Sequence, residues 1–171
     1  MFNVFLNKTL FKETTKLTQQ VKIEPNYQHI ISSRYKVDPE FVKKVIYTAN
    51  KYSDDVFPTK RDIIVLIGIE SSFKPKATSH LKRDVAVGLT QIRPHVWRHI
   101  IKNKNELNSV DNQIKYAAII LKHYHKLTGT REGAILAYNN GLTAYRQGRY
   151  TRRYLVKFER ETAFYVPQKD L

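Results

Sequence analysis

The stretch from Ile63 to Ile69, IIVLIGI, carries no charge and almost no polarity, and it runs directly into a carboxylate, Glu70. Thr59 or Asp62 can cap a helix here, with Lys60 and Arg61 in its first turn. A helix that is apolar on every side has to be buried all round rather than amphipathic. It therefore belongs at the centre of a fold, with Glu70 in its last turn. Burial penalises the ionised form of a carboxyl, and the negative end of the helix dipole disfavours a second negative charge. Both influences raise the pKa, and a carboxyl kept protonated near neutral pH is what a general acid requires. The plainer alternative is a Glu that turns outward and pairs with Lys74, four residues on.

Three ordered blocks and a shorter late one surround and follow that carboxylate. Glu70-Ser71-Ser72-Phe73-Lys74-Pro75, then Ser79, leads to Gly88-Leu89-Thr90-Gln91-Ile92-Arg93-Pro94. Further on come Ala137-Tyr138-Asn139-Asn140-Gly141 and a late Tyr154-Leu155-Val156-Lys157. These residues resemble the lytic transglycosylases of the soluble, goose-lysozyme-like type within the lysozyme superfamily. The family's usual form is E-S-x-[FW]-[ND]-P, a Ser, G-L-M-Q-I-M-P, A-Y-N-A-G and Y-V-x-K-V. The likeness spans about Asp62 to Phe158. Any one block would be weak; their order makes the signal specific. Val85-Ala86-Val87 departs from the Gly-Ala common before the second block, and the loop from Ala77 to Asp84 is slightly longer than usual. Thr90 and Arg93 stand where the family has Met, which would line a sugar groove with soft apolar surface.

The resemblance implies a mainly α, lysozyme-like single domain, with helices around a sugar-binding cleft and little or no sheet. It implies cleavage of the MurNAc-β-1,4-GlcNAc bond of peptidoglycan, most often without water, leaving 1,6-anhydro-MurNAc ends. Glu70 would be the single general acid and base. Ser79, Gln91, Tyr138, Asn139 and Tyr154 would bind or orient the substrate. No cofactor is implied. No second acid lies beside Glu70 in its block, as a two-carboxylate glycosidase would demand. Hydrolysis is the near alternative, because Asp84 precedes Gly88 where goose-type lysozymes place acids that manage a water.

Charge widens the choice of partners. Against 15 acidic residues the 171-residue chain sets 30 basic ones, a formal charge of +15. That favours polyanions, whether nucleic acid, an anionic wall or a lipid surface. A different class of function thus stays open: a basic virion or secretion-apparatus component that binds DNA or membrane around a vestigial enzyme core. The length suits one domain with short appendages. The absence of cysteine excludes a disulfide framework and a thiolate metal site. No apolar run reaches the 18 or so residues of a membrane span.

In chain order, residues 1–36 read as an N-terminal arm and 37–171 as the transglycosylase domain. The opening Phe2, Val4, Phe5 and Leu6 falls short of a signal-peptide core. The expected place of action is the cell wall, reached from a phage particle or by a non-Sec route. Pro25 to Ser33 reads as a connector. Asp38, Pro39 and Glu40 start a helix carrying Phe41, Val45, Thr48, Ala49 and Tyr52 on one face, which Ser53-Asp54-Asp55 ends. Pro94 opens another helix through Ile101. There His95 and His99 share a face, but no third metal ligand is evident and no metal is expected. Trp97 is either core or sugar-facing. Ser109-Val110-Asp111-Asn112 begins a helix with Ile114, Ala117, Ala118, Leu121 and Tyr124 inward, and Glu132 to Tyr138 forms a short one. From Tyr145 to Tyr165, basic residues alternate with aromatics. That pattern suits a sugar or single-strand groove, or a basic amphipathic helix with its rings in the core.

Overall fold

Helix starts fall where the sequence offers caps. The computed structural model describes residues 26–81 and 84–165. Asp38 accepts from the Phe41 amide at 2.8 Å and opens helix α2, Pro39–Tyr52, with Pro39 in its first turn. At helix α3, Lys60–Ser71, both candidate caps act together. The Asp62 amide donates to Thr59 Oγ1 at 3.2 Å, and the Thr59 amide donates to Asp62 Oδ2 at 2.9 Å. This reciprocal box satisfies two amides that the helix leaves unpaired, worth about 1 kcal/mol.

The apolar run is as buried as its composition demands. Ile63, Ile64, Val65, Leu66 and Ile67 are all fully buried, and α3 packs against α2, α4 (Val110–Thr128) and α7 (Arg153–Ala163). Ile114, Ala117, Ala118, Leu121 and Tyr124 form the inner face of α4, as expected. Gly129 then closes α4, and Thr130 caps α5, Arg131–Asn140, which runs longer than the Glu132–Tyr138 expected. A short α6, Leu142–Arg146, leads to α7. The sheet among the described residues is a single antiparallel hairpin, β1 (Thr78–Leu81) with β2 (Asp84–Val87), pairing Ser79 with Ala86. The protein is mainly helical, as the resemblance implies.

Two expectations fail. The supposed connector from Pro25 to Ser33 is, from Tyr27 on, helix α1, Tyr27–Tyr35. Its Asn and Ser residues resemble loop chemistry, but Tyr27 and Ile31, one turn apart, are buried in the core, and Tyr27 stacks on Tyr165 at 5.6 Å. Tertiary burial overrides weak local propensity. Conversely, the expected helix from Pro94 through Ile101 is a series of turns from Pro94 to Ile100. Its bonds converge on two carbonyls: Val96 and Trp97 donate to Arg93, Ile100 and Ile101 to Trp97. Trp97 and Ile101 are anchored in the core, but Val96, Ile100 and Ile101 are β-branched and lower helix propensity. Trp97 is thereby a core residue, edge-on to Tyr124. Residues 1–25, which include most of the expected arm, lie outside the described residues.

Helix α7 is held against α3 by two polar clusters. Arg131, at the start of α5, donates to Asp62 of α3 at 2.9 Å and to Glu159 of α7 at 2.6 Å. Glu161, buried on α7, accepts from Arg34 at 2.9 Å, from Tyr165 at 3.2 Å and from the Tyr35 hydroxyl. These groups press against α3 at Gly68, where an added Cβ would stand 2.5 Å from the Tyr35 hydroxyl oxygen. Tyr154, Phe158 and Glu161 lie at i, i+4 and i+7, so they share the face of α7 that meets α3.

Candidate active site

Glu70 is partly buried in the last turn of α3, and its Oε1 accepts a hydrogen bond from the Tyr154 hydroxyl of α7. It has no ion pair with Lys74. Burial is the largest influence on its carboxyl and raises the pKa. The Tyr154 hydrogen bond and the Lys157 charge pull the other way without cancelling the rise. One part of the expectation needs correcting. The negative end of α3 is not left bare, because Lys157 Nζ donates to the Ile69 carbonyl at 2.9 Å. A cation answers the dipole there, so burial is what raises the pKa.

After Glu70 the chain turns sharply. Ser72 and Phe73 both adopt left-handed backbone, φ 52 and φ 60. Such residues cost on the order of 1 kcal/mol each. Phe73 is held there by full burial against the Tyr35 ring, 4.9 Å away. The reversal sends the chain into the hairpin and then into Gly88–Ile92.

That loop is clamped from both sides. Gln91 has φ 50, and its Nε2 donates to the Ala77 carbonyl at 3.1 Å and the Gly88 carbonyl at 3.0 Å. Its Oε1 accepts from Ser79 Oγ at 2.6 Å. Two residues read separately from the sequence thus form one polar unit. From behind, Gln113 of α4 accepts from the Leu89 amide at 2.7 Å and donates to the carbonyls of Leu107 at 2.7 Å and Pro75 at 3.1 Å. Gly88 has φ 78, and a Cβ there would stand 2.4 Å from the Gln113 amide carbon, so only glycine fits. Sequence reasoning missed Gln113. Its signal was a polar residue on the same α4 stripe as Ala117, Ile120 and Tyr124.

Tyr138 joins the loop to the carboxylate. Its hydroxyl donates to the Thr90 carbonyl at 2.8 Å. Its phenol is held well above the ordinary range, by burial first and then by the charge of Glu70. Tyr154 is raised well above it too, by burial, by the Glu70 charge and by the hydrogen bond itself. Both phenols therefore stay protonated as donors beside the acid. Thr90 is fully buried, with Oγ1 on the Gln113 carbonyl at 3.2 Å, so its departure from Met alters the loop's support rather than an exposed groove wall. Asn139 follows Tyr138 on α5 and is exposed.

Asp84 stands in β2 and is engaged elsewhere. Its Oδ2 accepts from Arg93 Nε at 2.7 Å and its Oδ1 from the Val85 amide at 2.8 Å. Burial pushes its carboxyl up, but those bonds and the charges of Arg93 and His95 together hold it below the usual range. Arg93 is thus the ion-pair partner of Asp84. His95 and His99 are both exposed, and no group of three or more metal-ligating side chains occurs among the described residues. No helix among them is long and apolar enough to cross a membrane.

The arrangement is a carboxyl whose pKa burial raises, with two phenols beside it, one of them bonded to the Thr90 carbonyl in the loop that carries the Ser79–Gln91 pair. Comparison with protein families matches residues 50–155 to the transglycosylase SLT domain, a span that holds every residue of this arrangement. Comparison with curated proteins finds no match.

Proposed function

Because the chain belongs to the transglycosylase SLT domain family, and so is a lytic transglycosylase acting on peptidoglycan, we propose that Glu70 is its single general acid and base, cutting the MurNAc-β-1,4-GlcNAc bond to leave 1,6-anhydro-MurNAc ends. The observation that carries this reading is the Glu70 carboxyl itself, its pKa raised by burial and its Oε1 held by the Tyr154 hydroxyl.

With Oε1 occupied by Tyr154, the acidic proton resides on Oε2. It passes to the glycosidic oxygen as the C1–O bond breaks, and the GlcNAc hydroxyl leaves. The carbonyl of the substrate's own 2-acetamido group stabilises the electron-poor C1, so no protein nucleophile is required. The muramic 6-hydroxyl then attacks C1, and its proton returns to Glu70. No water is consumed. The Tyr154 bond and the Lys157 charge favour the carboxylate that exists between the two transfers, while burial favours the acid at either end. These opposed influences suit a group that must give and regain one proton.

Tyr138, Asn139, Gln91 and Ser79 bind the sugars in this proposal. The left-handed backbone of Gln91 is a strained conformation kept at a loop that its neighbours over-determine, as binding loops often are. Hydrolysis would need a second acid to activate water. The pairing of Asp84 with Arg93 supports a structural role for Asp84 instead. The deciding experiment is digestion of purified sacculi with mass spectrometry of the new ends. Anhydro-muramyl ends are expected, and reducing ends would overturn the proposed product.

A further inference from the structure

A cavity of about 1070 Å³ is lined by Ala77, Thr78, Val87 and Gly88, which flank the Ser79–Gln91 pair in the chain. Glu70, Tyr138 and Tyr154 do not line it. Five basic side chains do: Lys76, His95, Arg98, Lys102 and Lys104. Among the described residues none of the lysines nor Arg98 has an ion pair, and all of these side chains are exposed. The carboxylate in the lining, Asp84, is already neutralised by Arg93. Unpaired positive charge around a concave surface raises the local concentration of anions. The walls between the cations are apolar, with Val87, Ile101 and Leu107 among them.

The cavity also touches the sugar-binding loop through shared backbone. Ala77 and Gly88 line it, and their carbonyls are the two that accept from Gln91 Nε2. The cavity and the Gln91 clamp therefore share the Ala77 and Gly88 residues. A sugar held at Gln91 is adjacent to residues that line the cavity, within reach of a group tethered to it.

We propose that this basic cavity receives the carboxylate-bearing peptide stem that the glycan strand carries. The inference rests on the sugar-binding role proposed above for Ser79 and Gln91. The mixed lining favours a short peptide: apolar walls suit its methyl groups and the cations suit its free carboxylates. A polyphosphate would gain from the cations but would leave the apolar walls unfilled.

The test uses the full chain carrying Glu70→Gln, so that binding is read without turnover. Three probes are titrated by calorimetry at fixed salt: a synthetic stem peptide with free carboxylates, the same peptide with its carboxylates amidated, and a poly(glycerol phosphate). The free-acid peptide should bind, its amidated form should bind far more weakly, and the polyphosphate should not exceed the peptide. Arg98→Ala with Lys102→Ala should weaken peptide binding about 2- to 30-fold, the range expected for losing two exposed charge contacts. In the chain with Glu70 intact, the same double variant should raise KM on intact sacculi by a similar factor. It should leave the cleavage of glycan stripped of its peptides unchanged. Lys76→Gln with Lys104→Gln serves as a second pair should the first fail to fold. Equal binding of both peptides, no peptide binding, or a preference for the polyphosphate would each refute the proposal. A loss on stripped glycan equal to that on sacculi would refute it too. Failure of the Glu70 assignment would show separately, as turnover by the Gln variant with peptide binding intact.

Discussion

Tyr154 of α7 donates its phenolic hydrogen bond to Oε1 of Glu70 in α3, a partner 84 positions earlier in the chain. The contact exists because α7 is fastened to α3 by groups that take no part in it. Arg131 ties Asp62 to Glu159, and Glu161 gathers Arg34, Tyr35 and Tyr165. The orientation of the carboxyl is therefore a property of helix packing rather than of the helix that carries it.

Glu70→Gln should lower peptidoglycan clearing by at least about 10²-fold, the lower end of what general acid catalysis contributes. The variant should keep its far-ultraviolet circular dichroism, because an amide preserves shape and can still accept from Tyr154. Tyr138→Phe should cost less than Glu70→Gln. A turbidity assay on sacculi checks both, and clearing by the Gln variant near that of the parent would mean that the acid lies elsewhere.

Tyr154→Phe should move the alkaline limb of the kcat/KM profile to higher pH. The hydrogen bond stabilises the carboxylate, so its loss raises the pKa of Glu70, and the acid form survives further into the alkaline range. Lys157→Met should shift the same limb in the same direction by removing a nearby positive charge. Shifts toward acid pH in either variant would contradict the assigned influences.

The stability of the parent relative to Glu70→Gln should fall as pH rises. In the unfolded chain Glu70 ionises around its ordinary value of 4.5, whereas folding raises its pKa. Below that ordinary value both states hold the proton and the difference between the proteins is constant. Between the ordinary and the raised value the unfolded state alone releases it, which favours unfolding of the parent. Urea titrations of the two proteins at about one-unit intervals from about pH 4 upward should therefore show the variant gaining relative stability. A difference independent of pH would remove the case for a raised pKa.

Gln113→Ala should destabilise the fold by about 2–4 kcal/mol, since it leaves the Leu89 amide and the Leu107 and Pro75 carbonyls without their partner. It should also lower activity, because the Gly88–Ile92 loop loses its rear support. Urea denaturation with activity measured well below the transition separates the two effects. A fully active variant would show that the loop needs no such support.

Asp84→Asn should keep anhydro-muramyl products and most of the activity. Its carboxylate is engaged by Arg93 through Oδ2 and the Val85 amide through Oδ1, and an asparagine oxygen can still accept from one of the two. Loss of activity on the scale expected for Glu70→Gln, with the fold intact, would instead give Asp84 a place in the chemistry.

Much of the scaffold was legible in one dimension because it is written in local chemistry. The caps Asp38 and Thr59, the uniformly apolar run after Asp62, and the inward stripe of α4 each follow from neighbours within a turn or two. Local rules failed where distant contacts outweigh them. Helix α1 exists because Tyr27 and Ile31 find the core despite loop-like neighbours, and the stretch after Pro94 becomes turns anchored on Trp97. The polar supports were hidden for the same reason. Nothing in its own neighbourhood announces that Gln113 serves Leu89, Leu107 and Pro75 at once.

By itself the sequence determined which groups are present and in what order: an acid at the end of a greasy helix, then a glycine-led loop, then two tyrosine-bearing segments. Tertiary structure alone decided what each group does for the next. Tyr154 became the partner of Glu70, Ser79 of Gln91, and Arg93 of Asp84. The physical reason is that a helix or turn is set by neighbours along the chain. Hydrogen-bond partners and the dielectric that shifts a pKa depend on which distant elements pack together.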